Sequence, residues 1–323
     1  MQGLVTVVGG SGFVGRYVVR ALAKQGWRIR VAMRRPHLAP ELRVMGDVGQ
    51  IELMQANVRY PDSIAQVMDG ASACVNLVGV LYQAGKQGFG ALHVDAAQKM
   101  AEQAKAAGAT RFVQISAIGA DTASQSEYAR TKAAGEAAVS AAFPGATIVR
   151  PSIVFGPEDD FFNRFAKLST SSPMLPLIGG GTTRFQPIYA GDVGAAVAAC
   201  LADPTTAGRT FELGGPGVYT FKQLMELMLR ETHRKRILMA MPTGVAKMIG
   251  GVGDLQASIL PFIPPQLTTD QVLMLGRDNV ADAAAPGLAT LGVTPTPLET
   301  ALPLYLWKYR RGGQFAPPEG AAA

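Results

Sequence analysis

A doubly wound parallel α/β fold with a smaller, irregular second lobe is the fold class this sequence predicts. Three features predict it: short β-branched runs alternate with Ala-rich stretches through the first half, a Gly-rich turn falls at the first strand-to-helix junction, and the alternation stops near Gly156-Pro157. Strands are predicted at Leu4–Val8, Arg28–Ala32, Ile51–Ala56, Ala73–Leu77, Arg111–Ser116 and Thr147–Arg150, with helices between them. Gly26 ends the first helix, Pro61 and Asp62 open another, and Gly108 closes the Ala/Lys/Glu-rich helix before the fifth strand. Residues 1–157 form the expected first domain. Residues 158–312 form a mixed lobe, and 313–323 an unstructured tail. Within that lobe, Asp192–Ala202 and Phe221–Arg230 read as helices, the second opened by a Thr220/Gln223 capping box, and Phe211–Leu213 as a short strand. Ile237–Leu275 is apolar and Met-rich but broken by Pro242, Pro261, Pro264 and Pro265. It reads as helices packed on the lobe, or as a surface that docks on a partner or a membrane interface.

Composition bounds the function. At 323 residues and 48% hydrophobic the chain is globular, and no apolar run reaches the roughly 18 residues that span a bilayer. A net charge of +6 is too diffuse to indicate nucleic acid. Cys74 and Cys200 sit in apolar stretches and read as buried free thiols. His37, His93 and His233 share no ligand spacing, so no metal site is expected. The chain opens directly on a strand, without a charged-then-apolar leader, which points to a bacterial cytoplasm or to an already processed chain.

The first strand runs into Gly9-Gly10-Ser11-Gly12-Phe13-Val14-Gly15-Arg16. Gly9 permits the turn, Gly12 lets backbone approach a diphosphate, and Gly15 lets the helix pack closely, while the helix start offers unpaired N–H groups. The second strand ends in Met33-Arg34-Arg35-Pro36, where an NAD-binding site would place a carboxylate on the ribose hydroxyls. Two guanidiniums there, with Arg16 nearby, match a 2′-phosphate, so NADP(H), with NADPH as the bound form, is preferred over NAD. The duller reading has the arginines capping the strand end in solvent. Asn57-Val58 falls where a polar side chain could meet the adenine. Asn76-Leu77-Val78-Gly79 ends the fourth strand with a second close backbone approach.

The fifth strand ends at Ser116, and Tyr128-Ala129-Arg130-Thr131-Lys132 follows. On a helix i and i+4 share a face, so the Lys132 ammonium can favour the Tyr128 phenolate, and Ser116 can bond the same substrate oxygen. In the bland reading Tyr128 packs and holds cofactor.

With these motifs, and with Arg150-Pro151-Ser152-Ile153-Val154-Phe155-Gly156-Pro157, the first 215 or so residues resemble the extended short-chain dehydrogenase/reductases. The resemblance implies Tyr128 as acid/base, Lys132 as the ribose-binding residue that tunes it, and Ser116 as the substrate-orienting hydroxyl. It also puts Pro151 and Ile153 beside the cofactor. Finer features are similar to the nucleotide-binding accessory subunit family of respiratory complex I. These are Asn76–Gly79, Tyr128 to Glu136, Ala142-Phe-Pro-Gly-Ala146, Arg150 to Asp159 with Phe162-Asn-Arg-Phe165, and Gln186-Pro-Ile-Tyr189 before Asp192-Val193. That likeness implies tightly held NADPH in a structural or sensing role, other complex I subunits as partners at the membrane arm, and a peripheral place on a bacterial inner membrane. The Ser, Tyr and Lys set is complete, so the residues leave catalysis open. A working NADP-dependent oxidoreductase, epimerase or dehydratase on a carbonyl or nucleotide-linked sugar is the second reading, with Arg164, Lys167 and Arg184 as candidate diphosphate binders. A free sensor of the NADPH/NADP ratio is the third.

Overall fold

Residues 3–260 and 262–315 are described by the computed structural model, so Pro261 and the tail from 316 lie outside the described residues. The chain begins β1 (Leu4–Val8), α1 (Phe13–Lys24), β2 (Arg28–Met33), β3 (Ile51–Gln55), α2 (Pro61–Met68) and β4 (Ala73–Asn76). A π turn at Gly90–Asp95 then runs into α3 (Ala96–Ala106), followed by β5 (Arg111–Ile115), α4 (Glu127–Ala142) and β6 (Thr147–Pro151). Each predicted strand of the first half is present to within a residue at either end. Beyond it come β7 (Val154–Phe155), α5 (Phe162–Ser171), β8 (Met174–Ile178), β9 (Arg184–Phe185), β10 (Ile188–Tyr189), α6 (Ala190–Ala202), β11 (Thr210–Leu213) and β12 (Tyr219–Thr220). The chain closes with α7 (Phe221–Glu231), β13 (Ile237–Met241), α8 (Thr243–Ile259), α9 (Thr269–Leu275), α10 (Leu298–Ala301) and α11 (Pro303–Leu306).

Seven strands form one parallel sheet in the order β11-β6-β5-β4-β1-β2-β3. The order reverses between β1 and β4, and in such sheets ligands bind in the crevice at the carboxyl ends of the strands flanking that point. One face is covered by α1 and α6, whose Val18, Val19, Leu22, Val193 and Val197 meet Val7, Val31 and Val149 of the sheet. The other is covered by α2, α3 and α4 through Ile64, Met100, Ala104 and Val139. Burial of large side chains at about 1.5–3 kcal/mol each fixes which strand ends meet above the sheet. The short strand read at Phe211 has a larger role than expected. As β11 it pairs with β6 in the central sheet, so the chain returns to the sheet after the change of texture at residue 157.

The second lobe has its own core, built from Phe155, Phe162, Phe185, Phe221, Leu224, Met228 and Leu302. The capping box at Thr220 and Gln223 is formed. The Ile237–Leu275 stretch is a β-strand followed by two helices. Of α8, it is the small residues Ala246, Gly250, Gly253 and Ala257 that are buried. The large ones face out, Met248 at 74% exposure and Val252 at 68% among them. Within the predicted tail, Gly313–Phe315 forms a single 3₁₀ turn.

Candidate nucleotide-binding site

The Gly-rich loop is built as its sequence requires. Gly9 turns with φ +83°, a left-handed value open to glycine, and its carbonyl accepts from Gly12 N–H at 3.1 Å. Gly12 is the N-cap of α1 and is exposed, and no side chain caps the helix. The amino end of α1 thus presents free donors and partial positive charge to the crevice. A Cβ on Gly15 would lie 2.5 Å from Gly9 O and 2.6 Å from Gly10 Cα, so only glycine lets the helix sit this close to the loop. Ser11, Phe13 and Val14 are half-buried around it.

Arg34 and Arg35 are exposed at the end of β2, the first within 3.2 Å of Gln87 Oε1. Arg16 is committed elsewhere. Its Nε donates to Ser11 O at 3.2 Å and its Nη2 pairs with Glu41 at 2.9 Å, so it braces the loop from within the protein. Glu41, a carboxylate that the sequence reading overlooked, claims the guanidinium expected to help with phosphate. Asn57 also turns inward on its own loop, where its Oδ1 accepts from Arg59 N–H at 3.2 Å. Val58 packs against the core below. Asn76 is buried between Gln114, to which it donates at 2.8 Å, and Val78 N–H, from which it accepts at 2.9 Å. It thereby shapes the Leu77–Gly79 turn, and Leu77 N–H bonds Val8 O at 2.9 Å.

The Ser, Tyr and Lys residues converge at the carboxyl end of β5. Ser116 is 4% exposed and its Oγ is buried without a hydrogen-bond partner among the described residues. A buried hydroxyl is rarely left so, and a polar group of a ligand would satisfy it. Tyr128 and Lys132 are buried on one face of α4, with Lys132 Nζ 6.0 Å from the phenol ring centroid. In this arrangement Nζ donates to Ile115 O at 3.0 Å. Burial pushes Lys132 down to about 8, against the opposing pull of the Glu136 carboxylate. A Cβ on Gly79 would lie 3.6 Å from Lys132 Nζ, so that turn faces the same space. Pro151 accepts from Ile118 N–H at 3.0 Å, and Ile153 donates to Asn279 Oδ1 at 2.9 Å. The glycine cradle and the orphaned Ser116 hydroxyl fit a dinucleotide laid along this edge.

Two further residues were not anticipated. His93, 2% exposed, packs its ring against Phe89 at 5.3 Å and Tyr128 at 5.4 Å. Asp270 reaches across from α9 to the first turn of α4. No sequence spacing joins either of them to the Tyr-x-x-x-Lys motif. Beside Tyr128 opens a cavity of about 400 Å³ lined by Ile118, Ala120, Leu273, Met274 and Arg277. The candidate diphosphate binders are partly engaged: Arg164 donates to Pro265 O at 3.1 Å, and Arg184 pairs with Asp278 at 2.7 Å.

A doubly wound sheet, a glycine cradle at its switch point and a Ser/Tyr/Lys cluster over β5 define a nucleotide-binding dehydrogenase-like protein. Residues 5–214 match the NAD dependent epimerase/dehydratase family, and the chain belongs to it. The fold is shared with solved structures such as MoeE5 in complex with UDP-glucose and NAD, at TM-score 0.70 and 17% identity over 96% of this chain and 99% of that one. More narrowly, the chain is similar to the NADH dehydrogenase [ubiquinone] 1 alpha subcomplex subunit 9, mitochondrial, of Arabidopsis thaliana. The two are 38% identical over 320 residues, 97% of this chain and 80% of the relative, which puts the chain within that subunit's family. A shorter likeness, 36% over 203 residues, 63% of this chain and 62% of the relative, is to the ceramide reductase of Caulobacter vibrioides. The relatives correct one expectation. Proteins of the subunit-9 kind in Arabidopsis thaliana, Mus musculus and Dictyostelium discoideum are mitochondrial by name, as is the 40 kDa subunit of Neurospora crassa. The address read from the chain's start and from the resemblance, a bacterial cytoplasm and inner membrane, is overturned by them.

Proposed function

We propose that this protein is an accessory subunit of respiratory complex I that holds one NADP(H), preferred over NAD(H), in a structural or regulatory role. The observation that carries this reading is a likeness to subunits of that name running through both lobes and across the whole nucleotide crevice. Bound in the crevice, a nucleotide at a thousandfold above its dissociation constant adds roughly 4 kcal/mol to stability by mass action. Ser116, Tyr128 and Lys132 then serve as ligands to the nicotinamide half, and Arg34 and Arg35 hold the 2′-phosphate. Docking at the membrane arm uses the outward face of α8, where Met248, Val252, Leu255 and Ile259 are exposed, a patch of the kind that marks interaction surfaces. We read the contact as peripheral; no helix among the described residues is long and apolar enough to cross a membrane.

Isolation of native membranes in mild detergent should recover the chain with other complex I subunits and with NADPH bound. Recovery as a free soluble protein that rapidly oxidises NADPH with a carbonyl substrate would instead support the second reading, a working reductase. The unpaired Ser116 hydroxyl and the ceramide reductase relative favour that alternative. Replacing Arg34 and Arg35 together by Ala tests the nucleotide. NADPH affinity should fall about ten- to a hundredfold, the size of lost charge-assisted bonds, with NADH affinity nearly unchanged. Equal losses for both nucleotides in a fluorescence titration would remove the phosphate argument.

A further inference from the structure

The carboxylate of Asp270 occupies the amino end of the helix that carries Tyr128 and Lys132. Its Oδ1 accepts from Glu127 N–H at 2.7 Å, and its Oδ2 accepts from the Ser126 hydroxyl at 2.8 Å and from Tyr128 N–H at 3.3 Å. Ser126 Oγ in turn accepts from Ala129 N–H at 3.2 Å, so the first three N–H groups of α4 are all taken. An uncapped helix start carries about half a positive charge, which would stabilise a phenolate on the second residue of the helix. A full negative charge placed there reverses that field.

The other charged groups around the phenol do not restore it. Lys132, on the same helix, has its Nζ 6.0 Å from the phenol ring centroid, but burial pushes it down to about 8, so it gives up its charge before the phenol titrates. His93, from the helix packed alongside, is held neutral by burial and by the Lys132 charge. Across the cavity Arg277 is paired with Asp121 at 3.5 Å, and Asp278 with Arg184. Arg130 donates to the carbonyls of Ser124 and Gln125.

We propose that Asp270 is a positioning residue that fastens the α8–α9 segment to the Tyr128 helix and keeps Tyr128 a neutral hydrogen-bond donor, so that the phenol grips the ligand and does not serve as a phenolate base. This rests on the reading of a held nucleotide, and it accounts for a Ser/Tyr/Lys set that lacks the phenolate an oxidation or epimerisation would need as its base. In keeping with it, burial first and the Asp270 charge second push the phenol up to about 12.

The test is an ultraviolet titration of phenolate in the full-length protein, with Tyr128 isolated by subtracting the matching Tyr128→Phe variant. In Asp270→Asn the Tyr128 midpoint should drop by about one pH unit, the scale of a neighbouring charge. Asp270→Ser is a second uncharged variant should the first not fold. Ser126→Ala removes two hydrogen bonds, the one to Asp270 and the cap on Ala129 N–H, but keeps the charge, and should leave the midpoint near its wild-type position. An unmoved midpoint in either folded Asp270 variant, or an equal drop in Ser126→Ala, would overturn the proposal. Neither result depends on NADPH content or on co-purifying subunits, so a failure of the proposed function would register separately.

Discussion

Gly15→Ala is expected to strip the protein of its nucleotide while lowering its melting temperature. The added methyl would meet Gly9 O at 2.5 Å and the Cα and carbonyl carbon of Gly10 at 2.6 and 2.7 Å, all of them backbone. No side chain can rotate aside, so α1 must move away from the loop, and α1 is pinned from behind by α6 through a wholly buried contact at Val18, Val19, Val193 and Val197. Overpacking of this kind costs about 1–3 kcal/mol. The larger loss is functional, because the free N–H groups at the start of α1 no longer converge on one diphosphate position. Thermal melting with and without NADPH separates the two effects. Wild type should gain several degrees from the nucleotide, and Gly15→Ala should start lower and gain almost nothing. Val19→Ala is the control: it opens a cavity in the same helix, destabilises by a comparable amount, and keeps its response to NADPH. A Gly15→Ala protein that still melts higher with NADPH would remove the diphosphate from this loop.

What could be seen beforehand divides along a physical line. Strands β1 to β6 were legible because each is a short run with apolar residues at its centre bounded by turn or helix signals, and the loop and the Tyr128–Lys132 spacing were legible because their geometry is local. β11 was read as a strand but not as a sheet member. Four residues have no periodicity to say which edge they join, and the pairing with β6 is a long-range one, reached by a chain whose α6 packs on α1 just before β11. The commitment of Arg16 to Glu41, the inward turn of Asn57 and the tie of Lys132 to Ile115 O are choices among partners made only once the chain is compact. Asp270 is the extreme case, since it lies over 140 residues from the helix it caps and no local pattern marks it. α8 was legible only as a pair of alternatives. Its apolar composition left open helices packed on the lobe or a docking surface, and the small residues Ala246, Gly250, Gly253 and Ala257 are the buried ones, with Gly250 and Gly253 close against the 265–269 segment.

Acidification should loosen this site through His93. The Thr131 hydroxyl donates to the carbonyl of Glu127 at 2.8 Å, so it accepts from His93 Nδ1–H at 3.1 Å, and His93 Nε2 accepts from Val80 N–H at 3.2 Å. Both ring nitrogens are therefore satisfied by the neutral tautomer, and a second ring proton would point at the Val80 N–H. Burial, with the nearby Lys132 charge, pushes the imidazole down to about 3. In the unfolded chain it titrates near 6.5, so between those values the unfolded state holds a proton that the native state lacks. The contribution of neutral His93 is complete above about pH 6.5 and is lost progressively as the pH falls toward 3, amounting to about 3 kcal/mol between pH 7 and pH 4. Asp159 and Asp192, whose carboxyls burial pushes up, act with the opposite sign, so the informative quantity is the difference between two proteins. Denaturant unfolding at both pH values should show His93→Gln less stable than wild type at pH 7 and nearly level with it at pH 4. Because Val80 follows directly on the Leu77–Gly79 turn, NADPH release from wild type should quicken over the same range, while release from the variant stays flat. Parallel stability profiles for the two proteins would mean that the ring accepts its second proton in the folded state and that the hydrogen-bond pattern assigned to it is wrong.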